Sequence, residues 1–265
     1  MIYTCYEMIR DCRADRPEGW SYFIANYTPV IQRVIAHYFP QQAADSALAA
    51  RLLADLRRPE SSLFQSLEPA PERWFVAELR QQVLAAIQPG KETAPAILLD
   101  LETLAAALEP FTVVEKQAAW LEAMRYTPAH TGVLLRMEPR TVETIRARAA
   151  GLLRGKADAW NQTVIADNGF QLGRAAAAVQ IPECPPAKTF LDVLDGRATW
   201  RGRELLERHV TACWHCIDHF CRMAEVIDLL RGLEPLPQPE RDRLCEALGI
   251  PLKRRHAWRK WFGAS

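Results

Sequence analysis

The chain has 265 residues, of which 49% are apolar and 25% charged, with a formal net charge of +1. That length allows one ordinary core or two to three small domains, and no apolar run reaches the ~18 residues of a membrane-spanning helix. The early charges of MIYTCYEMIRDCRADR argue against a secretory leader, and seven cysteines, an odd number, suit reduced thiols and a metal better than a disulfide framework. A cytoplasmic protein with no membrane partner is expected.

Charge is uneven along the chain. Residues 111–156 carry 8 basic and 4 acidic side chains, and the last sixteen carry five basic and no acid. Residues 1–110 and 157–249 each carry 10 basic and 14 acidic. Two segments therefore have the sign expected of a phosphate-binding surface.

In chain order, WSYFIANYTPVIQRVIAHYF repeats Phe23, Tyr27, Val30, Ile31, Val34 and Tyr38 every three or four positions, the stripe of an amphipathic helix. Pro29 marks a bend or a start within it. QQAADSALAARLLADL follows as a second helix, PESSLFQSLEPAPE as a loop, and RWFVAELRQQVLAAI as a third helix ending at Gln88-Pro89-Gly90. APAILLDLETLAAALEPF leads into a second helical cluster: EKQAAWLEAMRY, the short TPAHTGVLLRM, and MEPRTVETIRARAAGLLRG with Pro139 at its first position. Residues 156–180 read as a linker with a helix around RAAAAV. FLDVLDG, GRELLERHV and IDHFCRMAEVIDLLRG form a third helical group, closed by ERDRLCEALG after LEPLPQPE. No strand-like alternation longer than a few residues occurs, so the fold class is all-α.

A tight turn between two short helices, the second of them basic, is what a helix-turn-helix reader of the major groove requires. Arg140, Glu143 and Thr144 share one turn of the second helix, and Arg146, Arg148 and Arg154 follow along it. Early positions would face base edges and the later arginines phosphates. Gly132, in the first helix, leaves room for a close crossing.

HVTACWHC supplies His209, Cys213 and Cys216 as H-x3-C-x2-C, three donors of a tetrahedral zinc site. Cys184, His215, His219 and Cys221 are near enough to be the fourth. His215 would point away from the centre and Cys221 lies on another helical face. Four protein ligands leave no open position for water. No P-loop, dinucleotide fingerprint, Ser-His-Asp order or HExxH is present, so an enzyme is not expected.

FTVVEKQAAWLEAMRYTPAHTGVLLRMEPRTVETIRARAAGLL resembles region 4 of bacterial RNA polymerase sigma factors of the extracytoplasmic-function type. The similarity rests on Val133 and Leu135, on the Thr141-Val142 pair opening the recognition helix, and on the Arg146/Arg148 spacing. FIANYTPVIQRVIAHYF and RWFVAELRQQVLAAI are similar in layout to region 2, so the resemblance covers roughly residues 20–154. The segment from Cys184 to Cys216 resembles the zinc-binding anti-sigma domain, in which a ligand lies some 25 residues before the H-x3-C-x2-C histidine. The resemblance thus implies the set Cys184, His209, Cys213 and Cys216 around one structural Zn2+.

The resemblances imply a region 2-like domain over 1–92, a region 4-like domain with a helix-turn-helix over 93–155, a linker over 156–180, a zinc-binding anti-sigma-like domain over 181–249 and a basic tail over 250–265. They also imply a transcription regulator. Arg140, Thr141, Thr144, Arg146, Arg148 and Arg154 would meet DNA, with RNA polymerase core and another regulatory protein as further partners. The zinc domain would act in cis through an apolar stripe of Phe220, Met223, Ile227 and Leu230. The alternative is a sigma-like interaction or scaffold module without promoter recognition. It is favoured by Glu143 in a slot commonly basic, by His130-Thr131-Gly132 in place of the usual Glu-Ile-Ala, and by a second helix whose only acids are Asp45 and Asp55.

Overall fold

The computed structural model describes residues 3–65, 71–87, 100–153 and 170–252, and among them the chain is all-α, with no strand. In order the helices are α1 (Cys5–Arg13), α2 (Pro17–Tyr38), α3 (Ser46–Leu56), α4 (Glu72–Ile87), α5 (Leu101–Ala107), α6 (Val113–Ala123), α7 (Pro128–Leu135), α8 (Pro139–Leu152), α9 (Phe170–Ala178), α10 (Ala187–Leu194), α11 (Trp200–Val210), α12 (Trp214–Leu230) and α13 (Gln238–Ala247). None of the described helices is long and apolar enough to cross a membrane. The chain divides into two units, one made of residues 1–86 and 232–265, the other of 87–231.

The first unit is built around α2. Its apolar stripe is buried throughout, from Trp20 and Phe23 to Val34 and Tyr38. Phe23 meets Phe64 and Phe75 edge-on, with ring centroids 5.3 and 6.0 Å apart, the arrangement that ring quadrupoles favour. α1, which apolar periodicity did not bring out, starts with a capping box in which Thr4 and Glu7 satisfy each other's backbone N–H groups.

Pro29 sits inside α2 without breaking it. Because proline has no N–H, the carbonyl of Ala25 is left without its partner in the helix. The N–H of Leu236 donates to that carbonyl at 2.7 Å. Arg33 donates to the carbonyl of Gly232 at 3.3 Å, and α13 packs on α2 with Cys245 fully buried. The chain turns off α12 at Gly232, whose φ of +58 suits a residue without a Cβ. Among the described residues, 232–252 therefore belong with α2, and the division between the two units falls after Arg231, inside the span 181–249 expected as one domain. An amphipathic pattern such as that of ERDRLCEALG states that one face will be buried, not against what.

The second unit contains α5 to α12 with a single continuous core. Leu104, Phe111, Trp120, Leu121, Ile145 and Ala149 from the helix-turn-helix half cluster with Phe190, Leu206, Ile217 and Cys221 from the cysteine-bearing half. α12 packs against both α6 and α7. Part of the expected linker is α9, which packs on α12 and α5. Among the described residues, the helix-turn-helix helices and the cysteine-bearing helices share this one core.

Candidate metal centre and helix-turn-helix face

Four local structures deliver the four expected ligands. Cys184 lies in the turn between α9 and α10, where the N–H of Ile181 points at its Sγ at 3.4 Å. His209 is in the last turn of α11, Cys213 is the N-cap of α12 and Cys216 is in that helix's first turn. One donor atom from each lies within 4.8 Å of all the others. The Cys184 and Cys213 sulfurs are 3.7 Å apart. An ion bonded to sulfur at ~2.3 Å sets tetrahedral sulfurs about 3.8 Å apart, so the cluster fits such an ion.

The surroundings agree with that fit. Nε2 of His209 is buried with no hydrogen-bond partner, an orphan that a metal would satisfy. All seven cysteines are free thiols. Burial pushes the Cys213 and Cys216 thiols up, while the backbone N–H of Cys216 acts in the opposite direction on Cys213. A cation is therefore what would make thiolates favourable here.

The other three candidates for fourth ligand lie elsewhere. His215 is directed at the backbone of Ala176 and Ala177 at the end of α9, and His219 packs against the ring of Phe190 at 4.8 Å. Cys221 is fully buried with its Sγ 3.8 Å from the carbonyl of Gln117. Cys184 completes the cluster.

The helix-turn-helix is set by its turn. Thr127 caps α7, Arg136 takes the left-handed conformation at φ 56, and the N–H of Met137 returns to the carbonyl of Gly132 at 2.8 Å. A Cβ on Gly132 would lie 2.6 Å from the carbonyl oxygen of Met137, so the missing side chain makes room for the turn itself. Glu138 and Pro139 then open α8, whose inner face is Val142, Ile145 and Ala149.

The expected DNA-facing residues separate into three groups. Arg140, Thr141 and Thr144 are exposed on α8, with the Thr144 hydroxyl bonded to the Arg140 carbonyl. Arg148 is exposed but engaged: it pairs with Glu115 at 2.6 Å and its guanidinium lies 4.3 Å from the centre of the Phe111 ring. Arg146, expected to meet phosphate, is turned inward. Its guanidinium donates to the Tyr126 carbonyl at 2.6 Å and to Thr131 at 3.2 Å, and it ties α8 to the start of α7. Arg146 falls four residues after Val142, at the edge of the buried stripe, which is why its side chain reaches back across the domain. Arg154 and the basic tail lie outside the described residues.

Of the stripe on α12, Phe220 packs against the shared core, Met223 is buried, and Ile227 and Leu230 are half-buried. Polar contacts that the sequence does not announce join α12 and α11 to the helix-turn-helix half. Lys116 donates to the carbonyl of Thr211 at 2.8 Å, Trp120 Nε1 to Asp218 at 3.0 Å, and His130 meets Asp228 at 2.7 Å. Burial lowers the pKa of Lys116, with Glu109 opposing. The i, i+4 spacing of Lys116 and Trp120 was the available signal, since it places both on one face of α6.

Comparisons of the chain with known family models, with curated proteins and with solved structures return no match.

Proposed function

We propose that the chain is a sigma-factor-like transcription regulator that meets DNA through α8 and is controlled in cis by a zinc-stapled helical bundle. One observation carries this reading. The bundle that holds the four-ligand cluster lies on α6 and α7, while Arg140, Thr141 and Thr144 on α8 remain exposed. The bundle thus covers the side of the helix-turn-helix away from the base-reading residues. Control in cis then acts through the fold that the bundle shares with α6 and α7, rather than by covering α8. Zinc is the ion that three thiolates and one imidazole in tetrahedral array favour.

A second reading, an interaction module without promoter recognition, draws on the charges of α8. With Arg146 inward, Arg148 paired to Glu115 and Glu143 exposed, the positive surface offered by that helix is small. Anisotropy titrations of the zinc-loaded full chain with promoter-like and random duplexes, across a salt series, separate the two. The regulator reading expects sequence-dependent affinity, a steep salt dependence of ~0.9 log unit per phosphate contacted, and an altered sequence preference in Arg140→Ala. Negligible affinity at low salt, together with no retention of core polymerase in a pull-down, leaves the module reading.

A further inference from the structure

We infer that α6 of the helix-turn-helix is a supporting part of the metal site, with Lys116 and Trp120 as its positioning residues, so that metal loss disorders α8 instead of releasing it. The inference rests on the metal reading of the four-residue cluster and not on DNA binding.

Three contacts from α6 land on the ligand-bearing segments, each within two residues of a ligand. The Thr211 carbonyl that accepts from Lys116 lies midway between His209 and Cys213. Trp214, whose ring centroid is 5.5 Å from that of Trp120, lies between Cys213 and Cys216. Asp218, which accepts from Trp120 Nε1, follows Cys216 by two residues. The Trp120–Asp218 pair is shut away from water, Trp120 being 1% exposed and Asp218 3%; Lys116 is 6% exposed and reaches an exposed Thr211.

Each contact has a physical role at the site. The Lys116 ammonium caps the C-terminal end of α11, where exposed carbonyls and the helix dipole favour a cation, and so fixes the last turn that presents His209. Trp120 holds the first turn of α12 at both ends, by ring packing on Trp214 and by its bond to Asp218. Partners of this kind orient ligands and typically carry ten- to a hundred-fold in metal affinity.

Linkage makes the effect mutual: whatever α6 contributes to holding the metal, the metal returns to α6. From there the path to α8 is short. Glu115, next to Lys116, pairs with Arg148, and Ile145 and Ala149 of α8 belong to the same core as Trp120. When the metal leaves, the segment from His209 to Cys216 is freed, and Lys116 faces losing its acceptor at Thr211 while Trp120 faces losing its ring partner Trp214. Unpaired buried donors of this kind are costly.

The test uses the zinc-loaded full chain. Metal transfer to the chromogenic chelator 4-(2-pyridylazo)resorcinol gives affinity and release rate, and hydrogen exchange of the α8 amides is followed before and after chelation. Lys116→Met and Trp120→Phe are expected to weaken zinc binding by about ten- to a hundred-fold, and Lys116→Arg to restore most of it. Leu104→Ala, a cavity in the same core away from these contacts, is expected to lower thermal stability with a smaller loss of zinc affinity than Lys116→Met or Trp120→Phe. Chelation is expected to remove α8 protection in step with metal loss. Unchanged zinc affinity in folded Lys116→Met and Trp120→Phe, or α8 amides that stay protected after chelation, overturns the inference alone. A wild-type chain that takes up no zinc overturns the metal reading and this inference with it. If Lys116→Met does not fold, Trp120→Phe and the wild-type exchange experiment still decide.

Discussion

The bond between Trp120 Nε1 and Asp218 is a direct test of whether the two halves of the second unit share one core. Both groups are almost fully buried and the donor–acceptor distance is 3.0 Å. Trp120→Phe keeps an aromatic ring and removes the N–H, so the carboxylate loses one charge-assisted bond of about 1.5–3 kcal/mol. The smaller ring leaves a gap costing about 1–2 kcal/mol more. The sum, about 2.5–5 kcal/mol, is a large part of the stability of an ordinary domain. For a unit of this size it corresponds to a fall in melting temperature of roughly 5–20 °C.

A double-mutant cycle isolates the bond from the cavity. Asp218→Ala strands the indole N–H and takes the carboxylate from Arg222, with which it also pairs. Combining Asp218→Ala with Trp120→Phe removes both partners of the bond, so the double variant should lose about 1.5–3 kcal/mol less than the sum of the single ones. Calorimetry of the zinc-loaded full chain supplies the numbers. Additivity within ~0.5 kcal/mol would show that the two side chains do not interact energetically, and the helix-turn-helix and the cysteine-bearing bundle would then have to be treated as separable.

Other expectations follow from the same geometry. Burial, aided by the charges of Arg222 and His215, pushes the His219 pKa down from 6.5 to about 4. The fold therefore favours the neutral ring, and its stability is intact above the unfolded-state value. It falls by up to about 3 kcal/mol as the pH drops from 6.5 toward 4, a slope that urea melts should find reduced in His219→Gln. Leu236→Pro removes the N–H bonded to the Ala25 carbonyl and should destabilise the first unit by about 1–3 kcal/mol; Pro29→Ala, which restores a helical donor for that carbonyl, should reduce this penalty in the double variant. Gly132→Ala forces a Cβ against the Met137 carbonyl and should cost about 1–3 kcal/mol. Arg136→Gly, at φ 56, should instead stabilise by about 1 kcal/mol, both read by thermal melts of the full chain.

How far the sequence predicts this structure depends on the kind of information each feature needs. Helices with one apolar stripe are legible because burial follows the 3.6-residue period, and α2, α4, α6 and α12 lie where that period places them. Three residues of the candidate metal cluster are legible for a similar reason, since H-x3-C-x2-C spans a helix end and the next helix start, where short spacing fixes geometry. The fourth is legible only through the resemblance, whose spacing of some 25 residues before His209 points to Cys184; the residues alone set aside His215 and Cys221 by helix geometry, and it is tertiary packing that brings Cys184 to the cluster. α1 is hard to read because its buried face, Met8, Ile9 and Cys12, spans only nine residues, too short for the period to stand out beside its capping box.

Choice of partner is what sequence patterns leave open, and in this chain that choice carries the functional consequence. An apolar face on α12 is equally consistent with a bundle that closes on itself, one that docks reversibly on a neighbour, and one that is fused into its neighbour's core. The structure has the third arrangement for the second unit. Trp120 and Trp214 pack ring against ring, and Lys116 reaches into the ligand-bearing turn. A reversible inhibitory interface would keep a polar, solvated rim so that each side could stand alone in water. A core continuous from Leu104 to Cys221 has no surface along which to open without exposing a buried tryptophan and a buried lysine. A metal bound at the four-residue cluster should therefore act as a folding cofactor, with order in α8 and metal occupancy rising and falling together.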